Sequence, residues 1–171
     1  MRRSYPSPGE IVGGERARGR ERHTGYVSRA RSLDFLIGTW SVERRIDDAL
    51  SGDVGTFEGT ATFVREGDDP RVRFDEAGVV RFGAYSGRAS RRLYFSERPD
   101  SHIDVRFADG HHFIELDLGA GSSQDHHQCA RDGYDVTTTV LDDNRIEERW
   151  RVHGPAKDYE ALTLMTRVSE F

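Results

Sequence analysis

The sequence predicts an all-β domain that closes into an up-and-down antiparallel β-barrel of about ten strands, entered through one short N-terminal helical turn. Three observations carry this. Apolar and polar residues alternate with period two from Trp40 onward, the pattern of a strand with one buried face. Clusters of Gly, Asp, Asn, Ser and Pro recur at short intervals, the spacing of a meander. Almost no segment keeps a helical period, and ten antiparallel strands joined by tight turns close on themselves rather than leave edges unpaired. A β-sandwich fits less well, because it needs long crossings between sheets.

Each element has its own signal. Ser32-Leu33-Asp34-Phe35-Leu36 reads as one helical turn with Ser32 as its cap. In the first strand Trp40, Val42, Arg44 and Ile46 share one face, and Ser51-Gly52-Asp53 turns the chain. The second strand puts Phe57, Gly59, Ala61 and Phe63 together. Gly67-Asp68-Asp69-Pro70 precedes a strand over 71–76, Gly78 marks a bend before a strand over 79–84, and Ser86-Gly87 turns into a strand over 91–96. Asp109-Gly110 is the strongest hairpin signal, because Asp-Gly suits the two positive-φ positions of a type I′ turn between strands over 103–108 and 111–118. Residues 119–131 read as a loop. Strands over 132–141, 145–152 and 158–168 complete the set, with Asp142-Asp143-Asn144 turning between the first two of these.

Composition limits the function classes. The 171 residues are 35% hydrophobic and 32% charged, enough for one domain with a modest core. No apolar run approaches the roughly 20 residues of a membrane span, and the N-terminus has no apolar stretch of the secretory type. Cys129 is the single cysteine, so no internal disulfide forms, which suits a reducing, cytoplasmic setting. Net charge is −5, but residues 1–31 hold eight arginines against three glutamates, leaving the remainder near −10. Residues 1–30 are expected to be a disordered basic arm, and residues 31–171 the barrel. An acidic barrel argues against nucleic acid as a partner. Polar loops leave room for a homodimer without specifying one.

Charged and titratable residues on apolar faces mark the candidate site. Arg44 lies between Val42 and Ile46, and Glu76 has the parity of Phe74. A charge facing inward needs a partner, so Arg44 and Glu76 are expected to pair or to meet a ligand. Tyr94, His127 and Tyr159 are expected to join them around one polar-tipped cavity. His112 shares parity with Ile114, Leu116 and Leu118 and is expected to point inward. Lys157 is the single lysine among 25 basic residues and is a candidate ligand contact, since lysine and arginine differ in shape and reactivity. Asp125-His126-His127-Gln128-Cys129 is the densest run of potential metal ligands, but no second motif of suitable spacing accompanies it, so neither a metal nor another cofactor is expected.

Leu36-Ile37-Gly38-Thr39-Trp40 resembles the Gly-x-Trp opening of the calycins, the lipocalin-like barrels that include fatty-acid-binding proteins and nitrobindins. The resemblance implies a Trp plugging one barrel end, with Arg167 from the last strand across its indole. It implies haem less readily, because a nitrobindin-like ligand His is missing from residues 158–171. More specifically, residues 33–168 resemble an uncharacterised family of lipocalin-like domains of bacteria and fungi. The matching blocks include Phe57-Glu58-Gly59, Arg92 with Tyr94, Phe107-Ala108-Asp109-Gly110, His127-Gln128-Cys129 and the run from Trp150 to Tyr159. Arg92 enters the candidate ligand contacts through these blocks. A His expected just after Phe113 is Ile114 here. The expected role is binding a small, partly apolar organic molecule inside the barrel. As an enzyme the protein would be a cofactor-independent cyclase or isomerase of specialised metabolism, with His127, Glu76 and Tyr159 as catalytic groups and Arg44, Tyr94, His112, Lys157 and Arg92 as ligand contacts. The alternative is a carrier or sensor without chemistry.

Overall fold

The computed structural model describes residues 33–169; the expected basic arm and the cap Ser32 lie outside the described residues. A 3₁₀ turn, Leu33–Leu36, leads into ten strands: β1 (Gly38–Asp48), β2 (Val54–Arg65), β3 (Val72–Phe82), β4 (Tyr85–Glu97), β5 (Ile103–Phe107), β6 (His112–Leu116), β7 (Ser122–Cys129), β8 (Asp132–Asp142), β9 (Arg145–Gly154) and β10 (Lys157–Arg167). They form one antiparallel sheet in the order β6-β5-β4-β3-β2-β1-β10-β9-β8-β7. Chain neighbours pair throughout and β10 returns to β1, which is an up-and-down meander nearly closed into a barrel. Among the described residues no helix is long and apolar enough to cross a membrane.

The seam lies between β6 and β7, where side chains bond to backbone. Glu115 N–H donates to Asp125 Oδ2 at 2.6 Å, and Asp117 N–H donates to Ser123 Oγ at 3.0 Å. This explains why β7, expected to be loop, is a strand. Its sequence, Ser-Ser-Gln-Asp-His-His-Gln-Cys, has no apolar alternation, yet it pairs with β8 from Ser122↔Thr139 to Cys129↔Asp132. Two of its inward polar groups, Ser123 and Asp125, serve the seam instead of a core.

The expected bend at Gly78 is a correction in the other direction. β3 runs unbroken through Gly78, which pairs with Gly59 of β2. A Cβ on Gly78 would lie 2.7 Å from Phe57 Cζ, and one on Gly59 would lie 2.9 Å from it. The facing glycines make room for the Phe57 ring rather than for a turn. The expected strand count therefore survived two offsetting errors, one strand divided and one omitted. The β3–β4 turn is Gly83-Ala84, between paired Phe82 and Tyr85, and Ser86-Gly87 lies within β4.

The 108–110 turn also differs. Gly110 has φ +88° while Asp109 keeps a negative φ. Phe107 N–H donates to His111 O at 2.9 Å and Gly110 N–H to Phe107 O at 2.9 Å. This is a three-residue loop ending in a left-handed glycine, not a two-residue type I′ turn. The register then slips from Val105↔Ile114 to Arg106↔His112, leaving Phe113 as the extra residue of a bulge. A one-residue slip reverses facing.

The core fills one end of the barrel. Trp40 is fully buried and donates from Nε1 to Leu36 O at 2.9 Å. Edge-on contacts run from Phe35 to Trp40 to Phe63, and Phe74 and Phe95 pack against Phe63. The expected lid is present: the Arg167 guanidinium lies 4.2 Å from the Trp40 ring centroid, and its Nη1 donates to Ile37 O at 2.9 Å.

Candidate functional site

β1 runs away from the plugged end, so its inward residues climb from Trp40 through Val42 and Arg44 to Ile46. Arg44 sits midway, over the Phe57 ring at 5.0 Å. Its Nε donates to Thr163 Oγ1 at 2.7 Å, and Nη1 and Nη2 donate to Glu76 Oε1 and Oε2 at 3.3 and 2.8 Å. Across the β3–β4 ladder Glu76 faces Arg91, whose Nε lies 3.0 Å from Oε1. Glu76 is only 4% exposed. Burial pushes its carboxyl upward, but Arg91 and Arg44 outweigh that and hold it below the ordinary glutamate value. The expected Arg44–Glu76 pairing is therefore a triad with a second arginine.

Above this triad, at the end away from Trp40, the barrel is hollow. The cavity is about 370 Å³ and has Arg44 and Arg91 among its lining side chains. Its walls include Phe107, Phe113, Trp150 and Tyr159. Phe113 and Trp150 stack at 5.4 Å with 11° between planes. His127 meets Phe113 and Phe107 edge-on at 5.4 and 5.8 Å, and Tyr134 at 6.0 Å. Tyr134 is held from the rim: Lys157 Nζ donates to Tyr134 Oη at 2.7 Å and pairs with Asp132 Oδ2 at 2.7 Å. Burial pushes the Tyr159 phenol upward, partly opposed by Lys157 and Arg44. A smaller void of about 20 Å³ lies deeper and touches Arg91, Thr138 and Glu148. Glu148 Oε2 accepts from Trp150 Nε1 at 3.3 Å.

The structure thus brings Arg44, His127 and Tyr159 to one cavity, with Lys157 at its rim. Glu76 lies behind the arginines with its oxygens committed to them. Three expected contacts are elsewhere. His112 is exposed and bonds Asp104 Oδ1 at 2.8 Å, because the Phe113 bulge reverses its facing. Arg92 is exposed and donates to Asp75 Oδ1 at 2.6 Å. Tyr94 lies on the outer wall, with the Arg71 guanidinium 4.8 Å from its ring. The parity of buried Leu93 and Phe95 already places Arg91 inside and Arg92 outside. Arg91 was missed although that signal existed, as were Tyr134, Trp150 and Glu148 by the same parity. Phe113 had no local signal, since a bulge sets its direction. His126 and His127 face opposite ways, His126 toward Asp135 at 2.7 Å. Among the described residues no group of three or more His, Cys, Asp or Glu side chains is placed to hold a metal.

Residues 36–167 match the model of a family described as "Family of unknown function (DUF6314)", and the chain belongs to that family. No curated protein matches. Among solved structures the barrel is similar to the S-type phycobiliprotein lyase CPES from Guillardia theta, with TM-score 0.59 and 8% identity over 81% of this chain and 91% of that one. A redesigned β-barrel, mFAP0, solved bound to DFHBI, aligns with TM-score 0.44 and 10% identity over 78% of this chain and 99% of that one.

Proposed function

We propose that this member of a family of unknown function binds a small, partly apolar organic molecule in the upper half of its barrel. The observation that carries the reading is the hollow of about 370 Å³ above a filled aromatic core. Barrels of this size hold either side chains or one small ligand, and here one half does each. The volume is at the lower end of the roughly 300–1,000 Å³ of small-molecule sites, whose walls are mainly apolar with a few placed polar groups. The fold shared with a phycobiliprotein lyase is compatible with the reading but does not identify a ligand.

Binding is tested by titrating the full chain with the neutral fluorophore N-phenyl-1-naphthylamine and following quenching of Trp150. Saturable one-to-one binding is expected, and Ala161→Trp, which fills the cavity wall, should remove it while the far-ultraviolet spectrum is retained. Equal binding by the variant would refute an intrabarrel site.

A second reading, cofactor-independent cyclisation or isomerisation, is favoured by the titratable groups on the wall. His127 would move a proton, and the un-ionised Tyr159 phenol would donate one. For an enzyme, His127→Ala lowers turnover of a converted ligand by about 100-fold or more with little change in affinity. A carrier converts nothing, with or without His127.

A further inference from the structure

We propose that the ligand of this cavity is an aromatic monoanion of two or three rings that enters with its anionic group toward Arg91. This rests on the cavity being a ligand site, and adds which chemistry fills it.

The charges around the cavity are unbalanced. Two guanidiniums, Arg44 and Arg91, contribute to its lining, and among the described residues no carboxylate does. Glu76 lies behind them and offsets one. Glu148 lies on the smaller, deeper void, which Arg91 also touches, but among the described residues it forms no ion pair with either arginine and accepts from Trp150 Nε1 instead; Lys157 at the rim is paired with Asp132. Counting the side chains that line the large cavity and the carboxylate paired to them, one positive charge is left over at its floor, where a partly dehydrated cation draws an anion.

The two arginines are not equally committed. Arg44 is 15% exposed and uses all three nitrogens on Thr163 and Glu76. Arg91 is 33% exposed. Its Nε lies near Glu76 without an in-line hydrogen bond, and its Nη2 contact with Glu76 is long, at 3.4 Å. Its Nη1 has no hydrogen bond among the described residues, so Arg91 keeps donors for a ligand while Glu76 remains satisfied by Arg44. A carboxylate or sulfonate matches such a planar fork.

The walls define the rest of the molecule. Stacked Phe113 and Trp150, with the edges of Phe107 and His127, favour a flat π-system over an aliphatic chain. The cavity, about 370 Å³, has room for two or three rings.

The test uses two fluorophores that differ in one group. 1-Anilinonaphthalene-8-sulfonate is N-phenyl-1-naphthylamine with a sulfonate added. Both are titrated against the full chain, Arg91→Gln and Arg92→Gln. The two variants lose the same charge at neighbouring positions, one inside and one outside. The preference for the sulfonate, taken as the ratio of the two Kd values, should fall about tenfold in Arg91→Gln. In Arg92→Gln it should stay within about twofold. An equal fall in both variants, or no fall in either, overturns the proposal and leaves cavity binding intact. Failure of both probes to bind the unmodified chain overturns the cavity reading itself. Should Arg91→Gln not fold, Arg91→Lys keeps the charge beside Glu76 but loses the fork. The ratio should then fall severalfold, and an unchanged ratio would remove Arg91 from recognition.

Discussion

Glu76→Gln removes the carboxylate that braces two arginines inside the barrel. Breaking one partner of a buried ion pair costs about 3–5 kcal/mol, because the remaining charge is left without compensation. The structure sets where in that range the cost falls. Arg44 is 15% exposed and pinned by Thr163 and Phe57, so it stays put and bears the penalty. Arg91 is 33% exposed and turns toward the cavity, where solvent screens it. The glutamine carbonyl recovers one hydrogen bond from Arg44, about 1 kcal/mol. The expected loss at pH 7 is about 2–3 kcal/mol, read in urea as a midpoint lowered by roughly 1 M. Its pH dependence has a definite sign. The folded carboxyl is held below its ordinary value by Arg91 and Arg44. The unfolded chain therefore takes up the proton first, and stability from the triad is lost as pH falls below about 4.3. The gap between Glu76→Gln and the unmodified chain should narrow over that range. Arg44→Met combined with Glu76→Met should cost less than the sum of the two single changes. A cost below about 0.5 kcal/mol at pH 7, the size of an ordinary surface change, would refute the triad as a buried brace.

Other parts of the structure carry their own expectations. Arg167→Ala loses the indole contact and the donations to the Ile37 and Phe35 carbonyls, a cost of about 2–3 kcal/mol in chemical denaturation; a neutral result would mean the Trp40 end is closed by other contacts. Gly78→Ala places a Cβ 2.3 Å from Glu58 O and 2.7 Å from the Phe57 ring, so a loss of about 1–3 kcal/mol is expected, and an unchanged melting temperature would contradict the close glycine pair. Burial holds the Tyr159 phenol above the ordinary value. The unfolded chain therefore loses that proton first, and Tyr159→Phe should flatten the fall in stability above pH of about 10 and remove the last-titrating tyrosinate absorbance.

The fold was legible because its main signals are local. Alternation from Trp40 to Ile46 set the facing of β1, and with it Trp40 at the base and Arg44 in the interior. What could not be read was whatever depends on the neighbouring strand. Gly78 looks like a bend until Gly59 and the Phe57 ring are placed beside it. β7 looks like a loop because its side chains bond the backbone of β6, a partner invisible in its own residues. His112 followed parity correctly up to a bulge that parity does not contain. Arg91 was the avoidable miss, since counting back from Phe95 and Leu93 already directs it inward. The cavity was legible only in part: Arg44, His127 and Tyr159 were expected there, whereas the stacked Phe113 and Trp150 depend on the bulge and on strands distant in sequence.

The central claim is that the hollow half of the barrel is where a ligand sits. A crystal structure of the full chain with N-phenyl-1-naphthylamine tests it most directly. The ring density is expected between Trp150 and Tyr159, above Arg44 and Arg91, with the Trp40 end still filled. Density on the outer wall, with the cavity occupied only by solvent at saturating probe, would contradict it.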